Sequence, residues 1–157
     1  MNRKSNRILA VFLMIILICS LSGCSGKVEQ KTEKDYSKIE MNSNISIPGY
    51  ESLELKAGTK KQSVNFYNPK ENTCYFRISL VIKYGADTAS GKEGNVGEET
   101  VLWTSEMIEP GEHVKSIKLS KELESGEYTA TLKYECFRLQ DKSPLNGSNV
   151  ELTLNVN

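Results

Sequence analysis

Residues 74–83 read CYFRISLVIK, and the alternation in that stretch decides the fold. Cys74, Phe76, Ile78, Leu80 and Ile82 share one phase, while Tyr75, Arg77, Ser79, Val81 and Lys83 share the other. Successive side chains of a strand point to opposite faces, so this segment predicts a half-buried β-strand with a wholly apolar inner face. Two later stretches repeat the pattern. Tyr128, Ala130, Leu132, Tyr134 and Cys136 alternate with Thr129, Thr131, Lys133, Glu135 and Phe137, and Val150, Leu152, Leu154 and Val156 alternate with Glu151, Thr153 and Asn155.

Working outward, shorter strands are expected at Ile45–Ile47 continuing into Leu53–Leu55, and at Gln62–Tyr67, Thr100–Thr104 and Val114–Leu119. The long strands are expected at Cys74–Lys83, Gly126–Phe137 and Asn149–Val156. Their separators are turn formers: Pro48-Gly49, Ala57-Gly58, Asn68-Pro69, a glycine-dotted loop from Gly85 to Gly97, Pro110-Gly111, Ser125-Gly126 and Asn146-Gly147. Only Ser120–Glu124 suggests a brief helical turn. About seven short strands with no βαβ alternation predict an all-β, antiparallel β-sandwich. Val64 with Phe66, Val101 with Trp103, and Ile117 with Leu119 are expected to supply the facing sheet.

The chain has 157 residues, room for one ordinary domain. Its 20 basic and 20 acidic side chains cancel, which excludes a generic nucleic-acid binder, since phosphate neutralisation needs a basic surplus gathered on one face. The cancellation hides a division. Residues 1–23 hold Arg3, Lys4 and Arg7 and no acid, so the remaining chain carries 17 basic and 20 acidic groups, a net charge of −3.

That leader has the layout of a secretory signal: a basic start, an unbroken apolar run from Ile8 to Ile18, then small residues at Ser20, Ser22 and Gly23. A run this short falls below the ~20 apolar residues that a spanning helix needs. Leu21-Ser22-Gly23-Cys24 resembles the lipobox of bacterial lipoproteins. The resemblance implies cleavage between Gly23 and Cys24 and attachment of a diacylglyceryl group to the Cys24 thiol. Two acyl chains give stable attachment where one would be marginal. The expected location is therefore a cell membrane, on its extracytoplasmic face, with membrane lipid as a partner through acylated Cys24.

Residues 24–43 are rich in Lys, Glu, Ser and Asn with no period, which predicts a flexible tether. As a random coil, its ~19 residues after the cysteine would span on the order of 25 Å. The expected organisation is thus a signal peptide (1–23), a lipidated cysteine and tether (24–43), and a sandwich domain (44–157).

Within that domain, Pro110-Gly111, an edge-like strand, Leu119, Leu123 and Gly126-Glu127-Tyr128 are similar to the second half of many bacterial immunoglobulin-like and fibronectin-III-like modules. Tyr128 matches the tyrosine that opens the sixth strand there, at the tyrosine corner. No cysteine lies in the second strand, so the inter-sheet pair of antibody domains is missing.

Of four cysteines, Cys19 would leave with the signal and Cys24 would take lipid, which leaves Cys74 and Cys136. Both fall on the inward phase of strands expected to be antiparallel neighbours. Two states are open to them. A disulfide closing a loop of about 60 residues would contribute roughly 4 kcal/mol, or two buried thiols would pack as small hydrophobes.

Nothing in the sequence builds a catalytic centre. His113 is the only histidine and follows a Pro-Gly turn, with no nucleophile motif nearby; GxSxG, HExxH and P-loop patterns do not occur. The expectation is a protein that is not an enzyme and uses no cofactor or metal. Asp87, Glu93, Glu98 and Glu99 dot the long loop, but without the spacing that places oxygens around calcium.

The outward phases of the third and sixth strands gather Tyr75, Arg77, Val81, Thr131, Lys133 and Phe137. Aromatic and Arg side chains are common interface anchors. Cross-strand pairing, such as Arg77 with Glu135, is the simpler account of the same residues. The expected function is display of a non-catalytic sandwich for recognition of an envelope or extracellular protein, or for envelope assembly. The alternative is a small-ligand or glycan-binding lipoprotein using Trp103, Tyr84 and the Gly85–Glu99 loop.

Overall fold

A computed structural model describes residues 34–38, 44–84 and 97–157. The signal, the Gly23–Cys24 cleavage site, lipidation at Cys24, most of the tether and residues 85–96 of the long loop lie outside the described residues.

Seven strands form two sheets in an all-β sandwich: β1 (Ser52–Leu55), β2 (Lys61–Tyr67), β3 (Cys74–Lys83), β4 (Glu99–Thr104), β5 (His113–Lys118), β6 (Gly126–Arg138) and β7 (Pro144–Val156). The larger sheet has the order β1-β7-β6-β3-β4, and β2 and β5 form the smaller one. Every pair is antiparallel except β1 with β7, which runs parallel from Ser52↔Thr153 to Leu55↔Val156. Ile45–Ile47 does not join the sheet, and the short stretch that does pairs with the last strand instead of with its sequence neighbour.

The inner rows that the alternation predicts for β3 and β6 are buried. Phe76, Ile78, Leu80 and Ile82 are fully buried, as are Ala130 and Leu132, with Cys74, Tyr128, Tyr134 and Cys136 close behind. Ten consecutive Cα pairs from Cys74↔Arg138 to Lys83↔Thr129 hold the register without a slip. A one-residue slip would turn both inner rows to solvent, so burial itself fixes the register. The rings of Phe76 and Tyr134 meet edge to face at 5.3 Å. From the smaller sheet, Phe66 and Ile117, with Leu119 just beyond β5, close the core from the other side. All core residues fall between Ile45 and Val156, so the sandwich contains its own core.

Four local readings are corrected by packing. Ser120–Glu124 forms bends and no helical turn, because Leu123 is buried in the core and the Gly58 amide is bonded to its carbonyl. Val101 and Trp103 do not belong to the facing sheet; β4 is an edge of the larger one. A register shift opposite Leu80 and Val81 brings both Leu102 and Trp103 inward and leaves Val101 53 % exposed. Extra residues in one strand re-aim side chains in this way, which strict alternation cannot anticipate.

The fourth correction is Asn146-Gly147, which lies inside β7 and is not a turn between strands. Here the β6–β7 register shifts between Tyr134 and Cys136, and a Cβ at Gly147 would collide with the Tyr134 carbonyl oxygen. Glycine marks a close backbone approach at this position.

Buried polar side chains complete the frame. Gln62, on an inward position of β2, donates to the Lys56 and Thr59 carbonyls and accepts from the Lys56 amide, closing the β1–β2 turn. Asn68, fully buried, donates to the carbonyls of Cys74 and Ile108, and Asn72 donates to Asn68 and to the Ser46 carbonyl. These bonds satisfy loop carbonyls that would otherwise be buried without partners, at a cost of ~1–3 kcal/mol each.

Candidate functional site

The outer face of the larger sheet brings the six expected face residues together. In register, Tyr75 stands opposite Phe137, Arg77 opposite Glu135, Ser79 opposite Lys133 and Val81 opposite Thr131. The Arg77 guanidinium lies over the Phe137 ring, 4.9 Å from its centroid, and reaches Glu135 at 3.9 Å. Lys133 Nζ donates to Glu99 Oε2 at 2.7 Å across to β4, and that ammonium holds the Glu99 carboxyl below its ordinary range. Both ion pairs are exposed, so solvent screens them. They set the positions of the side chains more than they stabilise the fold.

Burial narrows the face. Val81 is 3 % exposed and Tyr75 is 9 % exposed, so neither is presented as a free anchor. Tyr36, from the segment expected to be tether, packs edge to face on Tyr75 at 6.0 Å, and its hydroxyl donates to Glu109 Oε2 at 3.1 Å. Burial, and the Glu109 carboxylate after it, push the Tyr36 phenol up. A lone Tyr among Lys, Glu and Ser carried this signal in the sequence. The accessible residues are then Arg77, Thr131, Lys133 and Phe137, beside a shallow polar hollow of about 460 Å³ lined by Ser79, Lys133, Glu135, Ser148 and Asn149 among others.

The residues of the alternative ligand site are placed elsewhere. Trp103 stacks on Phe66 with centroids 5.7 Å apart, packed against the core. Tyr84 is buried, its hydroxyl bonded to Lys121, whose ammonium also sits over the ring. His113 opens β5, stacked on Tyr67 at 5.2 Å with Nδ1 3.2 Å from Asn65 Oδ1, and no nucleophile is among these partners. Among the described residues, no three potential metal ligands converge.

Cys74 and Cys136 do meet. The register sets Phe76 opposite Cys136, making the cysteines diagonal neighbours on the inner face, and both are free, buried thiols. The hydrogen bond between them, and burial after it, push the Cys74 thiol up. The same bond holds the Cys136 thiol below its ordinary value, against the effect of burial.

The smaller sheet has a second exposed face, which the sequence reading did not isolate. Gln62 and Ile117 point inward as a pair, so the adjoining pairs Lys61↔Lys118 and Ser63↔Ser116 point outward. Lys115 is exposed on β5 as well. Three lysines within two short strands, interleaved with apolar residues, were the available signal.

Compared with family models, with curated proteins and with solved structures, the chain matches none.

Proposed function

We propose that the chain is an extracytoplasmic lipoprotein whose non-catalytic, immunoglobulin-like sandwich binds an envelope or extracellular protein through the outer face of the larger sheet. Three features support the parts of this reading. The basic start, short apolar run and lipobox ending at Cys24 support export and lipid anchoring. The second and fifth strands in one sheet and the third, sixth and seventh in the other support the immunoglobulin-like partition. So does Tyr128, whose hydroxyl donates to the Glu124 carbonyl at 2.8 Å, the bond a tyrosine corner makes.

The observation that carries the function is the Arg77 guanidinium laid over Phe137 on a sheet face. Stacking fixes the position of the planar guanidinium and leaves donors for a partner's carboxylate or carbonyl, at little loss of side-chain freedom on binding. The neighbouring polar hollow supplies hydrogen-bonding groups around that anchor.

A photo-cross-linker at Thr131 tests the face. It is expected to trap an envelope protein that the same probe at Ser116 does not trap. The double variant Arg77→Ala, Phe137→Ala should lose that product; an unchanged product would overturn the assignment. The anchor is tested separately. Cys24→Ala should end incorporation of labelled fatty acid, and continued acylation would refute it.

A further inference from the structure

We propose that the outer face of the β2–β5 sheet is a lysine-borne docking surface for an anionic phospholipid membrane, an inference that rests on the lipid-anchored reading above. The sheet is chemically one-sided. Its two strands, KQSVNFY and HVKSIK, contain three lysines and no acid. The strands of the larger sheet contain four basic and five acidic residues.

Placement sharpens that imbalance. Lys61 and Lys118 are direct Cα partners on the outward face, and like charges in that relation oppose strand pairing. No ion pair relieves Lys61, Lys115 or Lys118 among the described residues. Lys60 adjoins them with its ammonium bonded to the Ser120 carbonyl at 3.0 Å. A local rule broken without compensation is expected where function demands it. Between Lys61, Ser116 and Lys118 lies an open hollow of about 630 Å³, with Glu122 the single acid on its rim.

The residue types fit a phosphate surface. Lysine is a point charge on a flexible stem that follows phosphates without fixed geometry, whereas bidentate recognition of a particular group calls for arginine, which these strands lack. Attraction acts over a Debye length of ~8–10 Å, so the face must touch the surface to benefit. On the lipoprotein reading, the anchor keeps such a surface within reach of a short tether and raises its effective concentration. Docking by this sheet turns the opposite face, with Arg77 and Phe137, away from the membrane and toward a partner.

The test uses the chain from Ser25 to Asn157 without lipid, which retains every core residue. It is mixed with sedimentable vesicles of phosphatidylglycerol or of phosphatidylcholine, at low and at high salt. Binding to phosphatidylglycerol that weakens with salt is expected. Each lysine lost should lower partitioning about fivefold, the Boltzmann factor of ~1 kcal/mol per basic residue at an anionic surface.

Lys61→Gln, Lys115→Gln, Lys118→Gln together should thus lower it on the order of a hundredfold. Lys70→Gln, Lys83→Gln, Lys142→Gln, the same charge removed elsewhere, should change it little, and unchanged melting temperatures should show both variants folded. Equal binding by the first variant, equal loss in the second, equal binding to phosphatidylcholine, or binding to soluble polyphosphate with none to vesicles would each overturn the inference. Because no lipid is attached, that failure leaves the Cys24 anchor standing, and continued acylation of Cys24→Ala would remove the anchor without touching this result.

Discussion

The two sheets solve the charge problem in opposite ways. On the outer face of the larger sheet, opposite charges meet across strands, Arg77 with Glu135 and Lys133 with Glu99. On the smaller sheet, Lys61 faces Lys118, and among the described residues no ion pair answers either. The larger sheet also holds the longest uninterrupted register, ten pairs between β3 and β6, while β2–β5 is shifted between Ser63 and Phe66. The larger sheet therefore has the regular pairing, and the smaller one carries a like-charge pair that disfavours pairing.

The strongest way to break the contrast is to hollow the centre of the larger sheet. Leu132→Ala, at a fully buried position, should cost about 2–5 kcal/mol in denaturant unfolding. Val114→Ala, on a half-buried side chain of the smaller sheet, should cost about 1 kcal/mol. Equal losses would mean that the two sheets share the core evenly. Next, Gly147→Ala should destabilise by about 1–3 kcal/mol, because the added methyl meets the Tyr134 carbonyl and must push β7 off β6. An unchanged melting temperature would show that the bulge absorbs it.

Removing one hydroxyl is a finer probe. Tyr128→Phe should cost about 1 kcal/mol through loss of the bond to the Glu124 carbonyl, with the ring still packed. The smallest effect should have the opposite sign. Lys118→Glu is expected to raise stability by ~0.2–1 kcal/mol by pairing with Lys61. That gain should shrink at high salt, and destabilisation at every ionic strength would end the claim that this pair is strained.

Much of the larger sheet was legible in the sequence, because the buried face of a half-buried strand has to alternate. CYFRISLVIK and the run from Tyr128 to Cys136 have one solution each. Where the period breaks, reading fails for a physical reason. Asn146-Gly147 has the composition of a turn, and only the approach of the Tyr134 backbone shows that glycine is needed inside a strand. Leu102 and Trp103 are adjacent yet both inward, and that depends on a register shift set by β3. Gln62 and Asn68 look like surface residues until the carbonyls that they satisfy are seen.

Alternation puts six residues on the candidate face, and burial removes Tyr75 and Val81 from it. The lysine face does not show in the sequence, because basic and acidic groups cancel along the chain and only strand pairing sets Lys61 beside Lys118.

Cys74 and Cys136 give the molecule an internal clock. Both thiols lie on the inner face where β3 joins β6, so a thiol reagent reaches them only when the central strands part. With reductant removed after full reduction, labelling at low reagent concentration counts those openings, and its rate divided by that of an unfolded thiol converts into the free energy of opening. Each variant above can be timed in this way in the native protein, without denaturant and without adding a probe.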